Sequence, residues 1–93
     1  FADLLAKRMT AEELEEVYRA HYAGQRFVKV GKEPSGYVSA NTLNGTNDLE
    51  ILVNGNEERI LLTARLDNLG KGASGAAIQN MNIALGLDEG VSL

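Results

Sequence analysis

Residues 67–80 read DNLGKGASGAAIQN and join a strand-like run to a helix-like run through three glycines and a lysine. A helix start exposes unpaired backbone N–H groups and a partial positive charge, and glycines let a phosphate or a flat ring approach the backbone closely. The glycines Gly70, Gly72 and Gly75 form a G-x-G-x-x-G pattern. The residues alone are equally compatible with a ligand-contacting turn and with a tight turn whose glycines only satisfy positive φ angles.

A complete dinucleotide-binding unit is not expected around this pattern. Such a unit needs a second parallel strand and an acidic residue about 20 positions after the glycines to bind the ribose. Asp88 and Glu89 lie near that spacing, but only four residues follow Glu89. The Rossmann interpretation therefore fails on length.

Asn68 and Lys71 are the side chains of this stretch that could contact a ligand. An amide held at the end of a strand can pair with another amide through two hydrogen bonds, and the carboxamide of a nicotinamide ring is such a partner. Lys71 could face an anion or only water. Asn80 and Asn82 are predicted to face solvent from the following helix.

The segment before this stretch predicts one amphipathic helix. Thr10-Ala11-Glu12-Glu13 has the form of a capping box, and Gly24 lies where a left-handed residue would end the helix. Glu15 precedes Arg19 by four residues on the polar side. The apolar stripe has helical spacing and consists of Leu14, Val17, Tyr18, His21 and Tyr22.

The remaining patterns predict strands and a second helix. A short strand is expected over 26–30, and 49–53 and 60–66 alternate as a β-hairpin around an Asn-Gly-Asn turn. In the poorly patterned segment 37–47, Val38 and Leu43 are the apolar anchors and Asn44-Gly45 is a turn signal. Residues 73–85 predict a helix with Ile78, Met81 and Leu85 in the core and a C-terminal cap at Gly86. This order predicts an α+β fold, two helices on a mixed or antiparallel sheet.

Composition excludes several classes of function. The chain has 93 residues, which suits a single domain, a net charge of −4 and no cysteine. Acidity without a basic patch argues against nucleic acid, and the absence of cysteine excludes thiolate metal sites and cysteine nucleophiles. No membrane span or signal segment is expected, and an intracellular, cytoplasmic location is the natural interpretation. The chain starts at Phe1, which suggests a piece of a longer protein in which Phe1, Leu4 and one side of the last helix leave apolar surface uncovered.

The titratable residues predict no catalytic group. His21 could be a general base, but it lies on the apolar stripe of a helix, and a packed or partly exposed histidine is the favoured interpretation. The four glutamates of the same helix are predicted to be a solvated face. No spacing typical of metal ligands is present.

The stretch 67–80 resembles the C-terminal signature of the N-acetyl-gamma-glutamyl-phosphate reductases of arginine biosynthesis. That signature runs Asp-Asn-Leu, a variable residue, Lys-Gly-Ala, a small residue and Gly, and ends in Gln-Asn. The segments 10–14, 22–23, 27–30 and 45–47 also resemble the corresponding family segments, so the resemblance spans nearly the whole chain.

This resemblance implies an NADPH-dependent enzyme with a dinucleotide-binding part and an α+β part similar to the C-terminal half of glyceraldehyde-3-phosphate dehydrogenase. This chain would be the end of the second part, inactive alone, in a homo-oligomer. In such a family a cysteine located elsewhere attacks the acyl phosphate and phosphate leaves. Hydride from NADPH then reduces the thioester, and a histidine located elsewhere assists proton transfer. The resemblance makes Asn68 the candidate for contact with the cofactor, with Gly70, Gly72 and Gly75 shaping the turn. By this resemblance the substrate of the parent would be acetylglutamyl phosphate or a carrier-linked aminoadipyl relative.

Two other interpretations stay open. A stand-alone module could use the glycine turn to bind an anion or a protein without catalysis. A complete small enzyme would need a nucleophile or base that the chain does not visibly supply.

Overall fold

The fold is an α+β layer built on a three-stranded mixed sheet, as the sequence predicts. The structure, a computed structural model, describes residues 9–32, 41–55 and 59–93. The elements are α1 (Ala11–His21), β1 (Val28–Gly31), β2 (Leu49–Gly55), β3 (Ile60–Leu66), a π-helical glycine-rich turn (Gly70–Ser74) and α2 (Gly75–Ala84). β1 pairs with β2 in parallel, and β2 pairs with β3 as the predicted antiparallel hairpin.

The main core forms where α1 packs on one face of this sheet. Alternation along the strands brings Val53 and Ile60 to that face, where they form a buried cluster with Leu14 of the helix. Partly buried residues surround the cluster: Met9, Ala11, Tyr18, Ile51 and Leu62. Leu43, a predicted anchor, is also buried at 9% exposure. Val38 and the end of the predicted hairpin turn lie outside the described residues.

The predicted start of α1 is confirmed, whereas its C-cap is Tyr22, two residues before the predicted Gly24. The Thr10 hydroxyl accepts a hydrogen bond of 3.1 Å from the Glu13 backbone N–H, and Gly24 has a φ of +79°. The Glu15 and Arg19 side chains form the expected ion pair at 2.9 Å. The predicted stripe is only partly buried, because Val17 is 51% exposed and His21 is exposed, with its ring edge-on to Tyr22 at 4.7 Å.

Removal of the Thr10 cap should weaken α1 measurably. We expect Thr10→Ala to lower the free energy of unfolding by about 1 kcal/mol, because the Glu13 N–H then loses its side-chain acceptor. Urea unfolding followed by circular dichroism measures the loss. Thr10→Ser keeps the hydroxyl and should stay within about 0.5 kcal/mol of the parent; equal losses for the two variants would contradict the capping role.

The second helix differs from its prediction at its start and in its buried side. A π-helical turn precedes α2. Its Gly72 and Ser74 N–H groups donate to the carbonyl oxygens five residues back, those of Asp67 and Leu69. Met81 is 51% exposed and Leu85 is 66% exposed, so the expectation that they fill the core is wrong. The exposed apolar side predicted for the last helix is thereby confirmed.

The buried side of α2 is formed by small and amide residues instead. Gly75 and Asn82 are buried, and Ile78 and Gln79 lie between them at helical spacing, partly buried. Asn82 is only 1% exposed, so its predicted solvent-facing position is wrong, whereas Asn80 is exposed as predicted. This side faces Asn47 and the segment 87–93 through hydrogen bonds.

The end of α2 is a Schellman motif. The Leu87 N–H bonds to the Asn82 carbonyl at 2.8 Å, and the Gly86 N–H bonds to the Ile83 carbonyl at 3.1 Å. Gly86 has a φ of +72°, which confirms the predicted cap. The motif turns the chain back so that segment 87–93 runs along the helix.

Candidate functional site at the glycine-rich turn

The Asp67 carboxylate connects the end of β3 to the loop before β2. Its Oδ2 atom accepts a bond of 3.0 Å from the Gly45 N–H, and its Oδ1 atom accepts one of 3.3 Å from the Leu69 N–H. The Gly45 φ of +77° confirms the predicted turn and directs that N–H toward the carboxylate. The loop 45–47 and the glycine-rich turn are therefore held side by side.

Asn68 and Gly72 lie together on the outer side of the turn. The Asn68 side chain is exposed, and a β-carbon built on Gly72 would lie 2.8 Å from its Oδ1 atom. Among the described residues, no hydrogen bond is made by the Asn68 amide. The exposed amide therefore lies beside a backbone position that carries no side chain.

Gly70 and Gly75 lie on the inner side, against the loop. A β-carbon on Gly70 would come within 2.5 Å of the Thr46 carbonyl oxygen, and one on Gly75 would collide with the Asn47 Oδ1 atom. The absent side chains at these positions allow close packing of backbone and loop. The structure therefore separates the four predicted site residues into an outer pair and an inner pair.

A cavity of about 240 Å³ adjoins the inner pair. Its walls include Thr46, Asn47, Gly70 and Gly75, together with Ile78 and the end of segment 87–93. Asn47 is 6% exposed, and its Oδ1 atom accepts no hydrogen bond from the part of the chain that the structure describes. The buried amide oxygen lies against the Gly75 backbone rather than against a polar donor.

Lys71 points from the turn toward α2. Its Nζ atom donates a bond of 2.6 Å to the Gln79 Oε1 atom and lies 5.8 Å from the centre of the Phe27 ring. The side chain is partly buried. Lys71 therefore anchors the turn to the helix.

A second, charged cavity of about 260 Å³ lies on the other face of the sheet. Lys29, Glu50 and Arg65 are register neighbours across the three strands, and the Arg65 guanidinium pairs with the Glu50 carboxylate. The Lys29 ammonium hydrogen-bonds the Asp48 carboxylate at 2.8 Å, which raises the pKa of Lys29 above its ordinary value. These charges are largely paired with one another.

The described ranges offer no alternative catalytic or metal centre. No group of three acidic, histidine or cysteine side chains in them could hold a metal ion. None of their helices is both long and apolar enough to cross a bilayer. Among the residues described, the polar atoms around the glycine-rich turn remain the best-defined site.

Three site residues were missed by sequence reasoning: Asn47, Gln79 and Asn82. For Gln79 and Asn82 the available signal was the composition of α2, GAAIQNMNIA, in which three amides interrupt an otherwise apolar or small sequence. Amides at helical spacing in an apolar context favour buried hydrogen bonds.

Comparison with known proteins is consistent with the resemblance in the sequence. The profile of the family described as semialdehyde dehydrogenase, dimerisation domain, matches residues 2–68. That domain is similar to the C-terminal domain of glyceraldehyde-3-phosphate dehydrogenase, which agrees with the α+β fold.

Several curated relatives share one name. An N-acetyl-gamma-glutamyl-phosphate reductase 2 from Nostoc sp. is 46% identical over 90% of this chain and 29% of its own length. The N-acetyl-gamma-glutamyl-phosphate reductase of Desulforamulus reducens is 40% identical over 96% of this chain and 26% of its own length. That of Archaeoglobus fulgidus is 37% identical with the same coverage, 96% and 26%.

The chain thus spans less than a third of the length of these relatives. The family profile covers well over half of the chain. The resemblance found in the sequence is confirmed, and the chain belongs to the semialdehyde dehydrogenase dimerisation domain family.

Proposed function

We propose that the chain is the C-terminal portion of an NADPH-dependent reductase that converts N-acetylglutamyl 5-phosphate to N-acetylglutamate 5-semialdehyde and phosphate. The observation that carries this proposal is 37–46% identity, over about nine tenths of the chain, to proteins named for that activity. The aminoadipyl analogue is the competing substrate. NADPH-dependent release of phosphate from each acyl phosphate by the complete gene product tests the proposal, and activity on neither would contradict it.

In this proposal the chain supplies part of the scaffold and part of the cofactor site, and none of the reacting groups. It has no cysteine, and its single histidine is exposed on α1, away from the glycine-rich turn in sequence. The reacting groups therefore belong to the rest of the protein, which includes a dinucleotide-binding part. Such an enzyme of amino-acid biosynthesis acts in the cytoplasm, and the isolated chain has no activity.

The outer pair of the turn suits the carboxamide of a nicotinamide ring. An amide offers one acceptor and two donor hydrogens, and the Asn68 amide is exposed and uses none of these in contacts with the described residues. Gly72 beside it has no side chain to obstruct a flat ring. NADPH supplies the hydride when bound; Asn68 would orient the ring, and Gly70 and Gly75 would hold the turn.

Loss of the Asn68 amide should impair use of the cofactor. In the complete gene product we expect Asn68→Ala to lower kcat/KM for NADPH about tenfold, because two hydrogen bonds of roughly 0.5–1.5 kcal/mol each are lost. Steady-state kinetics with varied NADPH measures this. Asn80→Ala, which removes an exposed amide from α2, is the control. Equal kinetics for Asn68→Ala and the parent would remove Asn68 from the site.

The exposed apolar side of α2 is the surface proposed to contact the dinucleotide-binding part. Met81 and Leu85, which lie one helical turn apart, are each more than half exposed there, an arrangement more typical of an interface than of free surface. The family is described as a dimerisation domain, so the parent is proposed to be a homo-oligomer as well.

A small module that binds an anion or a protein without catalysis is the second candidate. The exposed Asn68 amide beside the glycines is the feature that favours it. Calorimetric titration of the isolated 93-residue chain with NADP+ and with phosphate distinguishes the two. Tight binding by the chain itself supports the module, whereas the reductase proposal predicts no measurable binding without the dinucleotide-binding part.

A further inference from the structure

Gln79 connects four segments through one side-chain amide. Its Oε1 atom accepts hydrogen bonds from Lys71 Nζ at 2.6 Å and from Asn47 Nδ2 at 2.9 Å. Its Nε2 atom donates a bond of 3.0 Å to the Glu89 carboxylate. The loop before β2, the glycine-rich turn, α2 and segment 87–93 therefore meet at this residue.

The chemistry of the partners allows only one orientation of this amide. An ammonium group can only donate and an ionised carboxylate can only accept, so Oε1 must face Lys71 and Nε2 must face Glu89. Asn47 must then present Nδ2 to Gln79, which directs its Oδ1 atom at the Gly75 backbone. The donor and the acceptor of every hydrogen bond in this network are therefore fixed.

The glycine-rich turn needs such an external restraint. Its backbone contains two glycines among five residues, and its own bonds are widely spaced π-type bonds, including a 3.3 Å bond from Ser74 to Leu69. Glycine has the largest conformational freedom to lose, and π-helical turns are rarely stable by themselves. Lys71 is the second residue of the turn, three residues after Asn68, and Gln79 is its hydrogen-bond partner.

We propose that Gln79 is a positioning residue that fixes the glycine-rich turn, and with it Asn68, in the geometry used for the nicotinamide cofactor. The cofactor half of this inference rests on the proposed function. The part of the inference in which Gln79 fixes the turn rests only on the contacts of Gln79. Because Glu89 lies in the segment 87–93, that segment also restrains the turn through Gln79.

The test compares Gln79→Met with Asn80→Met in the complete gene product. Both place the same unbranched side chain on α2, but only the first removes the network. Without cofactor, we expect Gln79→Met to speed hydrogen exchange of the Gly72 and Ser74 amides about tenfold, the change expected for loss of roughly one hydrogen bond. We expect KM for NADPH to rise about five- to tenfold with kcat changed less, and Asn80→Met to alter neither quantity.

A reciprocal exchange gives a second test if Gln79→Met folds poorly. Gln79→Glu places two carboxylates together and should raise both the exchange rate and KM. Adding Glu89→Gln restores a donor opposite the new carboxylate, so the double variant should return to within about threefold of the parent, a coupling that independent sites do not show.

The outcomes separate the two halves of the inference. An unchanged hydrogen-exchange rate in Gln79→Met would overturn the role of Gln79 in fixing the turn. So would a double variant whose exchange rate stays as high as that of Gln79→Glu. Faster exchange with an unchanged KM would overturn the role in cofactor positioning. A gene product that does not reduce acyl phosphates would overturn the proposed function, while the exchange rates would still decide whether Gln79 holds the turn.

Discussion

Asn82→Asp is expected to lower the free energy of unfolding by about 3 kcal/mol, because it leaves a buried carboxylate facing two carbonyl oxygens. Asn82 is 1% exposed, and its Nδ2 atom donates to the Glu89 carbonyl at 3.1 Å and to the Val91 carbonyl at 2.9 Å. The substitution preserves shape and volume. It therefore removes both donors without creating a cavity.

The loss should appear first in the segment that Asn82 holds. Local opening costs less than global unfolding where few other contacts exist, and Leu87 and Val91 of this segment are at least 45% exposed. Hydrogen exchange of the Leu87 and Val91 amides measures the local loss, and urea unfolding measures the global one. Both should change in Asn82→Asp.

Asn80→Asp is the matched control for this prediction. It introduces the same charge on the same helix, at an exposed position, and shares the unfavourable interaction with the helix C-terminus of roughly 0.3–1 kcal/mol. The difference between the two variants isolates the buried donors. Similar losses in both variants would show that the contacts of Asn82 contribute nothing beyond the charge.

The elements that the sequence predicted well are those with strong local patterns. The N-terminal cap at Thr10, the hairpin over β2 and β3, and the cap at Gly86 each depend on residues near in sequence, and each is confirmed. Local hydrogen bonds and strand alternation are sufficient to specify such features.

The buried side of α2 could not be predicted in the same way. Apolar residues at helical spacing normally face the core, but Met81 and Leu85 are exposed and Asn82 is buried. Asn82 becomes a core residue only because the Schellman motif returns segment 87–93 over it. The partners of Asn82 are thus created by the tertiary path of the chain, which periodicity does not describe.

The strand-to-helix junction over 67–80 was predicted correctly from the sequence, but its long-range contacts were not. The stretch 67–80 does form a strand-to-helix junction with Asn68 exposed, and its role in cofactor binding stays a prediction. Gln79 is hydrogen-bonded to Asn47 and Glu89, which are separated from it in sequence by 32 and 10 positions, respectively. Such pairs between polar side chains of different segments leave no periodic signal in a single sequence.

Gly75→Ala is expected to destabilise the protein by about 2 kcal/mol, although alanine is the better helix former by roughly 1 kcal/mol. A β-carbon at this position would collide with the Asn47 Oδ1 atom and lie 2.8 Å from the Gly70 carbonyl carbon and oxygen. Asn47 is buried and held by Gln79, and the Gly70 atoms are backbone. Neither neighbour can move without breaking the turn.

Gly31→Ala is the control, because a β-carbon at Gly31 would have no neighbour within 4 Å and its φ is not positive. This variant should be neutral or more stable by up to about 0.5–1 kcal/mol. Urea unfolding of both variants gives the comparison. A stability of Gly75→Ala equal to or above the parent value would contradict the close-packing role.

A double-mutant cycle then distinguishes packing from ligand contact at Gly75. If Gly75 is needed to make room for Asn47, Asn47→Ala should reduce the loss of unfolding free energy caused by Gly75→Ala by about 1 kcal/mol, because one of the two collisions is removed. If Gly75 is needed only for a cofactor, Gly75→Ala should keep full stability and lose cofactor binding in the complete gene product. Additive losses in the cycle would mean that the Gly70 backbone alone requires glycine here, and that Asn47 can move aside without cost.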